Sequence, residues 1–266
     1  MQLRALIAFD SHVHLDDPDS GGAQLCDVLT SLVKTGWQGA LTAGYGPERF
    51  EASRLLCQDF SSIHRAIALH PQWLARAPAA RREAAWLQLL AELDLAPALA
   101  IGEIGLDRRY RDLFPLPDQI SWFHQGLQLA QQRQLPIVLH LVGWHGHALT
   151  ALRQHPLTQG GVIHRYSGAA ELVPHFVALG LHISMALEQR QDLQKRRDLA
   201  VAIPLDRLLV ETDWPFGDLT YPQALQAMID MTQQIAEWRG VALADLQIQL
   251  ALNAAKVYRI ALPSAP

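Results

Sequence analysis

Short apolar runs alternate with amphipathic stretches along the whole chain. The apolar runs fall near Leu6–Phe9, Gly39–Ala43, Ile63–Leu69, Ala98–Gly102, Ile137–Leu139, Gly161–Ile163, Leu181–Met185 and Leu208–Val210. Most are apolar on successive positions, the pattern of strands buried on both faces, while Ile63–Leu69 carries His64 and Arg65 and Leu181–Met185 carries His182 and Ser184. Between them, apolar residues recur every three or four positions over Gln24–Thr35, Glu48–Phe60, Ala79–Leu95, Pro117–Gln134, His147–Gln154, Ala169–Leu179, Asp192–Ala202 and Pro222–Trp238. That spacing predicts helices with one buried face. A further helix is expected over Leu243–Tyr258, placed to close a ring of such units or to cover its underside.

Strict alternation of strand and helix implies a parallel sheet with helices on its faces. Eight such units predict an α/β fold, a (β/α)₈ TIM barrel of one domain spanning residues 1–266. The competing architecture is a doubly wound open sheet, which normally has fewer units and a glycine-rich first turn. No G-x-G-x-x-G or G-x-x-x-x-G-K-[ST] follows any of the expected strands. No internal repeat, low-complexity tract or linker divides the chain.

Composition adds limits. The chain has 266 residues and is 50% hydrophobic, enough for a large core. With 22 Lys and Arg against 26 Asp and Glu, the net charge of −4 gives no broad basic face, so any contact with a polyanion must be local. No apolar stretch reaches the roughly 20 residues a membrane helix needs, and the first residues lack a signal-peptide pattern, so a cytoplasmic protein is expected. The two cysteines, Cys26 and Cys57, fall in amphipathic helical patterns and suit reduced core thiols. Twelve histidines are many for this length, and their placement carries the functional argument.

In a barrel of this kind chemistry sits at the carboxyl ends of the strands. The first strand runs into "FDSHVHLD", where His12 and His14, two apart, point the same way in an extended segment. The fourth delivers Glu103, the fifth ends in His140, the sixth in His164, and the eighth delivers Glu211 and Asp213. One such residue at one strand end is ordinarily structural or a cap. Nitrogen and oxygen donors at five strand ends point instead to a divalent-metal site. Their number matches two ions per chain if one carboxylate is shared and water fills the rest, and Glu103, on the strand between the flanking pairs, is the natural bridge. Asp213 is the candidate proton acceptor and Glu211 its outer support. The donor set accepts Zn²⁺, Mn²⁺, Fe²⁺ or Ni²⁺, and Mg²⁺ less readily, and leaves the identity open.

At these residues the sequence resembles the TatD family of metal-dependent hydrolases. The matches run in order as "FDSHVHLD", "ALHP" (68–71), "IGEIGLD" (101–107), "LPIVLH" (135–140), "GVIHRYSG" (161–168), "PLDRLLVETDWP" (204–215) and "NAAKVY" (253–258). The resemblance implies a barrel with a two-metal centre that cleaves DNA phosphodiesters, often from an end. It implies that His12, His14 and Asp213 hold one ion, that Glu103 bridges, and that His140 and His164 hold the other. It assigns His70 to a substrate phosphate, with a capping role as the alternative, and sets Gln119 and Phe123 in a "Q-x-x-x-F" helix that packs.

The sequence also departs from the family pattern. Leu141-Val142-Gly143-Trp144 follows His140 where a Ser or Cys and then an Arg are usual, removing a cation near the phosphate. Arg165-Tyr166 follows His164 and returns one. The segment after "ETDWP" lacks a basic loop. Arg108, Arg109 and Arg111 are further candidates for phosphate contact, with Arg108 taken beside Arg165 as a substrate residue. Trp144 and Trp214 are candidates either to stack on a base or to pack at the rim. Lys195-Arg196-Arg197, beside Asp192 and Asp198, reads as a solvated helix face.

The expected function is therefore a divalent-metal-dependent hydrolase of ester bonds, a deoxyribonuclease acting on DNA through a metal-activated water. The altered loops keep open a hydrolase of small phosphoesters, lactones or amides. A third alternative is a catalytically silent barrel that binds a partner, its ions structural. The sequence leaves the oligomeric state and the direction of cleavage open.

Overall fold

A computed structural model describes residues 9–34, 37–187, 192–215 and 217–261. Its strands are β1 (Asp10–Val13), β2 (Ala40–Thr42), β3 (Ile63–Ile67), β4 (Ala100–Asp107), β5 (Ile137–Val142), β6 (Gly161–His164), β7 (Leu181–Ala186) and β8 (Leu208–Glu211). The eight form one sheet in chain order, every paired neighbour parallel. The ring comes together between β1 and β8 through backbone bonds just past the end of β8. There the Asp213 N–H donates to the His12 carbonyl at 3.0 Å, and the His14 N–H to the Trp214 carbonyl at 2.7 Å. The result is a nearly closed (β/α)₈ barrel.

The helices are α1 (Ala23–Val33), α2 (Phe50–Asp59), α3 (Pro71–Arg76), α4 (Ala79–Leu95), α5 (Leu116–Arg133), α6 (His145–Gln154), α7 (Val173–Ala178), α8 (Leu193–Ala202), α9 (Tyr221–Arg239) and α10 (Leu243–Tyr258). Most lie within a residue or two of their predicted spans. Three differences have physical causes. The stretch read as one helix from Ala169 opens as a 3₁₀ turn, Ala170–Leu172, and becomes α-helical only at Val173, where Pro174 occupies the first turn and has no N–H to offer a preceding one. The short α3, outside the predicted helices, starts at His70 and Pro71, a cap followed by the residue best suited to a first helical position. Strands β4 and β5 outrun their apolar runs because their ladder continues through Gly105 with His140 and Asp107 with Val142. Backbone pairing is indifferent to the polar side chains it carries.

The predicted first strand, Leu6–Phe9, lies outside the described residues except at Phe9; β1 begins one residue later.

Two apolar layers result. The outer one packs helices on strands, with residues such as Leu29, Leu89, Phe123, Leu152, Phe176 and Ile235. The inner one fills the amino-terminal half of the barrel with Phe9, Leu41, Ala66, Ala100, Val138, Val162 and Leu209, and is capped from below by Ala254, Val257 and Tyr258 of α10. Helix α10 thus covers the underside. Asn253 fixes it there, donating to the carbonyls of Leu205 and Leu208 at 2.7 and 2.8 Å. Among the described residues, the plugged floor leaves the carboxyl-terminal mouth as the open end of the barrel.

Candidate metal centre

Alternation along a strand cannot by itself serve both the floor and the mouth, and two local insertions resolve the conflict. In β1, Asp10 pairs with Ala40 and Val13 with Thr42, so Ser11 and His12 together oppose the single residue Leu41. Phe9 and Ser11 point inward below this bulge; above it the parity flips, and His12 and His14 point inward instead. Strand β4 repeats the device. Ile101 pairs with Ile137 and Ile104 with Leu139, so Gly102 and Glu103 oppose Val138 alone. Position 102 must be glycine, because a Cβ there would sit 2.5 Å from the Val138 Cβ. Above the bulge Glu103, Gly105 and Asp107 face the interior.

Glu103 is 1% exposed, and its two oxygens face different neighbours. Oε1 lies 3.5 Å from His12 Nε2 and 3.6 Å from His14 Nε2, and the same two nitrogens lie 3.7 and 3.5 Å from Asp213 Oδ1. Oε2 lies 2.7 Å from His164 Nε2, 3.3 Å from His140 Nδ1 and 3.7 Å from His70 Nε2. The rings of His12 and His164 stack at 3.9 Å, joining the two sets. All six residues read from the sequence as ligands therefore meet within one volume. His70 joins them, forming with Glu103 and His140 a group whose donor atoms suit an ion.

Surrounding groups aim these side chains. His14 Nδ1 donates to the Ala43 carbonyl at 3.2 Å, which leaves Nε2 free for the centre. His70 Nδ1 accepts from the Gln72 backbone N–H at 2.9 Å, so His70 is a helix cap and a site residue at once. Glu211 accepts from the Arg165 backbone N–H at 2.6 Å and from Ser11 Oγ at 3.3 Å, and lies 3.5 Å from His164 Nδ1. Below them, Asp10 takes bonds from the backbone and hydroxyl of Thr212 and from the Tyr221 hydroxyl, fastening the start of β1 to the end of β8.

Buried polar atoms without partners show what the site needs. Both ring nitrogens of His12, Glu103 Oε1 and His164 Nδ1 are buried with no hydrogen bond. Orphan atoms of this kind cost free energy that a shared cation would offset. The charge pattern agrees. Against the opposing effect of burial, the imidazoles of His164, His12 and His70 hold Glu103 well below the usual carboxylate range. Asp213 is likewise held low by His14, His164 and His12. Burial and the nearby His164 lower His12. His14 is pushed up to about 9 by Asp213 and Glu103, which outweigh its burial, and His164 rises well above its ordinary value beside Glu103 and Glu211. Ionised carboxylates that draw protons onto neighbouring imidazoles form a field that a divalent cation would satisfy.

The centre opens into a cavity of about 370 Å³ walled by Gln72, Arg109, Leu141, Val142, Arg165 and Ser167. The substrate residues read from sequence divide here. Arg165 lines the cavity and binds Asp213 Oδ2 through Nη1 at 3.0 Å. Arg108 is exposed, its stem lying along Gly143, and its neighbour Arg109 takes the wall instead. Trp214 is buried in the core and donates to the Leu219 carbonyl at 2.7 Å, so it packs rather than stacks; Trp144 is half-buried against the same core. Asp107, to which the sequence alone assigns no role, stands behind His140. It accepts from His140 Nε2 at 2.9 Å. Its signal was its position, four residues past Glu103 on the same strand face. Gln119, read as packing, bonds both the N–H and the carbonyl of Asp107 at 2.8 and 3.1 Å.

A parallel barrel whose mouth gathers five imidazoles with Glu103, Asp213 and Glu211, several of their donor atoms unpartnered, has the donor set that a divalent-metal hydrolase requires. Residues 9–259 match the family model described as TatD related DNase, and the chain belongs to that family. It is 30% identical over 210 residues to the metal-dependent hydrolase YjjV of Escherichia coli, covering 77% of this chain and 78% of that one. It is 28% identical over 248 residues to the 3'-5' ssDNA/RNA exonuclease TatD of the same species, covering 88% and 93%. The crystal structure of YjjV superposes with a TM-score of 0.83 at 25% identity, covering 96% and 99% of the two chains. The protein is thus an enzyme of the metal-dependent hydrolase class acting on ester bonds.

Proposed function

We propose that this enzyme cleaves phosphodiesters at the ends of DNA strands with two divalent ions. The observation that carries the reading is the division of Glu103, one oxygen facing His12 and His14 and the other facing His140 and His164. His12, His14, Asp213 and Glu103 Oε1 would hold one ion, and Glu103 Oε2, His140 and His164 the other. Ions so held supply an acidified water and neutralise phosphate oxygens. Asp213, kept ionised, takes up the proton that the nucleophile gives away. Glu211 fixes the Arg165 backbone, and the Arg165 guanidinium, one bond from Asp213, reaches the phosphate from the cavity wall. His70, anchored through Nδ1, turns Nε2 toward the same place. Zn²⁺ and Mn²⁺ suit this donor set better than Mg²⁺.

The substrate assignment draws on the exonuclease TatD of Escherichia coli and on phosphate-sized access through a polar mouth. The test is end-labelled single-stranded DNA incubated with the pure protein and Mg²⁺, Mn²⁺ or Zn²⁺. Stepwise shortening that is abolished by His12→Ala supports the reading, and the absence of cleavage under all three metals sinks it.

A second reading is favoured by the cavity itself, which is at the small end for ligand sites and has apolar Leu141 and Val142 in its wall. Small phosphoesters, lactones or amides would fit it. Turnover of such a panel far above that of DNA would select this alternative. An open cavity over the centre weighs against a silent barrel.

A further inference from the structure

We propose that Asp107 is a positioning residue that decides which nitrogen of His140 is offered to a metal ion. The inference rests on the two-metal reading above and adds a residue to it. His140 Nε2 lies 2.9 Å from Asp107 Oδ2, and Nδ1, on the other side of the ring, lies 3.3 Å from Glu103 Oε2. An ionised carboxylate only accepts hydrogen bonds, so the proton of a neutral His140 resides on Nε2. The lone pair on Nδ1 then points at the centre. Carboxylates placed behind a ligand histidine commonly fix tautomer and ring angle in this way.

Asp107 is held in turn. Gln119 bonds both of its backbone groups at 2.8 and 3.1 Å. The Arg109 backbone N–H donates to Oδ1 at 2.9 Å, and the Arg109 side chain spans both oxygens, with Nε on Oδ1 at 3.0 Å and Nη2 on Oδ2 at 2.6 Å. The backbone donor is the fixed one, because the Arg109 side chain is 58% exposed and free to turn to water.

This asymmetry makes a sharp prediction for Asp107→Asn. The amide oxygen must take the Oδ1 place to keep the Arg109 N–H bond, which leaves the amide nitrogen facing His140 Nε2. A donor there forces Nε2 to accept and drives the ring proton onto Nδ1, where the ion should bind. Asp107→Ala merely releases the ring and lets either tautomer form. The isosteric variant is therefore expected to be the worse of the two.

The experiment is calorimetric titration of metal-free wild-type, D107N and D107A protein with Mn²⁺, together with the ¹⁵N-histidine spectrum of Zn²⁺-loaded wild type. Expected are two binding events for wild type, and one retained event for D107N with the other weakened about 10- to 100-fold. D107A should fall between them, and the proton of His140 should sit on Nε2. Two undisturbed events in D107N, equal loss of both, or D107A as weak as D107N would overturn the inference. So would a proton on Nδ1 in the wild type, a readout that needs no variant to fold. A wild-type protein that takes up fewer than two ions fails the underlying reading, and does so before any variant is compared.

Discussion

Glu103 Oε2 lies 2.7 Å from His164 Nε2, the shortest contact the Glu103 carboxylate makes with any imidazole around it. Such a pair shares a proton that a metal ion must displace. Glu103→Gln keeps the shape of the side chain and removes the charge that both imidazole sets face. We expect at least about a 10²-fold loss of turnover, the scale on which single electrostatic groups act in enzyme sites, with a matching fall in bound metal by elemental analysis. Near-normal metal content would contradict the role given to Glu103.

Metal uptake should depend on pH in a direction set by the same protons. His14 is pushed up to about 9 by Asp213 and Glu103 against its burial, so at neutral pH it carries a proton that ligation must expel. Apparent affinity for Mn²⁺ should therefore climb from pH 6 toward pH 9 and flatten above it. Chelation should lower the melting temperature, since a ligand at 100 times its Kd contributes about 2.7 kcal/mol. Titrations at three pH values, with melts in EDTA, check both statements.

His182 offers a stability test away from the mouth. It pairs in register with Val162, whose side chain belongs to the inner floor, and is 2% exposed. Burial, reinforced by Arg207 and Lys256, pushes it down to about 4. A base with a depressed folded-state value binds its proton more readily when unfolded. Stability should thus be intact above about pH 6.5 and decline as pH falls toward 4, by up to about 3 kcal/mol. His182→Leu should remove that decline; parallel pH-dependent losses in both proteins would refute it.

Tyr258 links α10 to the bulge in β1, its hydroxyl donating to the Ser11 carbonyl at 3.1 Å. Tyr258→Phe leaves a buried acceptor unpaired, at a cost of about 1 to 3 kcal/mol. For a chain of this size that lowers the melting temperature by about 2 to 4 °C per kcal/mol. Because the bond lies beneath the centre, Mn²⁺ affinity should change little. Thermal melts and titrations on one preparation separate the two effects.

Arg165 is the proposed substrate residue most open to test. Its guanidinium is 3.0 Å from Asp213 Oδ2 and lines the cavity. Arg165→Ala should raise KM for DNA about tenfold, equivalent to about 1.4 kcal/mol, with metal content retained. A fall in kcat alone would mean that it serves Asp213 rather than the phosphate.

The alternation of apolar strands and amphipathic helices made the barrel legible, and the placement of histidines and acids at strand ends made the centre legible. What stayed hidden depended on contacts between distant segments. Arg108 and Arg109 are indistinguishable as neighbours in a loop, and only the 3₁₀ turn after β4, Arg108–Tyr110, decides which meets the cavity. Trp214 follows a candidate ligand, yet its indole N–H is taken by the Leu219 carbonyl and its ring by Tyr221. The equal spacing of His12 and His14 said that they point together, but not inward. Their direction is set by the bulge against Leu41, which no local pattern announces.

Those two irregularities, at Ser11 and His12 and at Gly102 and Glu103, act as phase shifters. Below them β1 and β4 run in the rhythm of a greasy plug; above them, in the rhythm of a coordination shell. Packing and chemistry are thereby uncoupled along one continuous strand. Restoring regular pairing at either point would turn the imidazoles or Glu103 out toward the helices while leaving the foundation sound, producing a stable barrel that has lost either one imidazole pair or the carboxylate between the two sets.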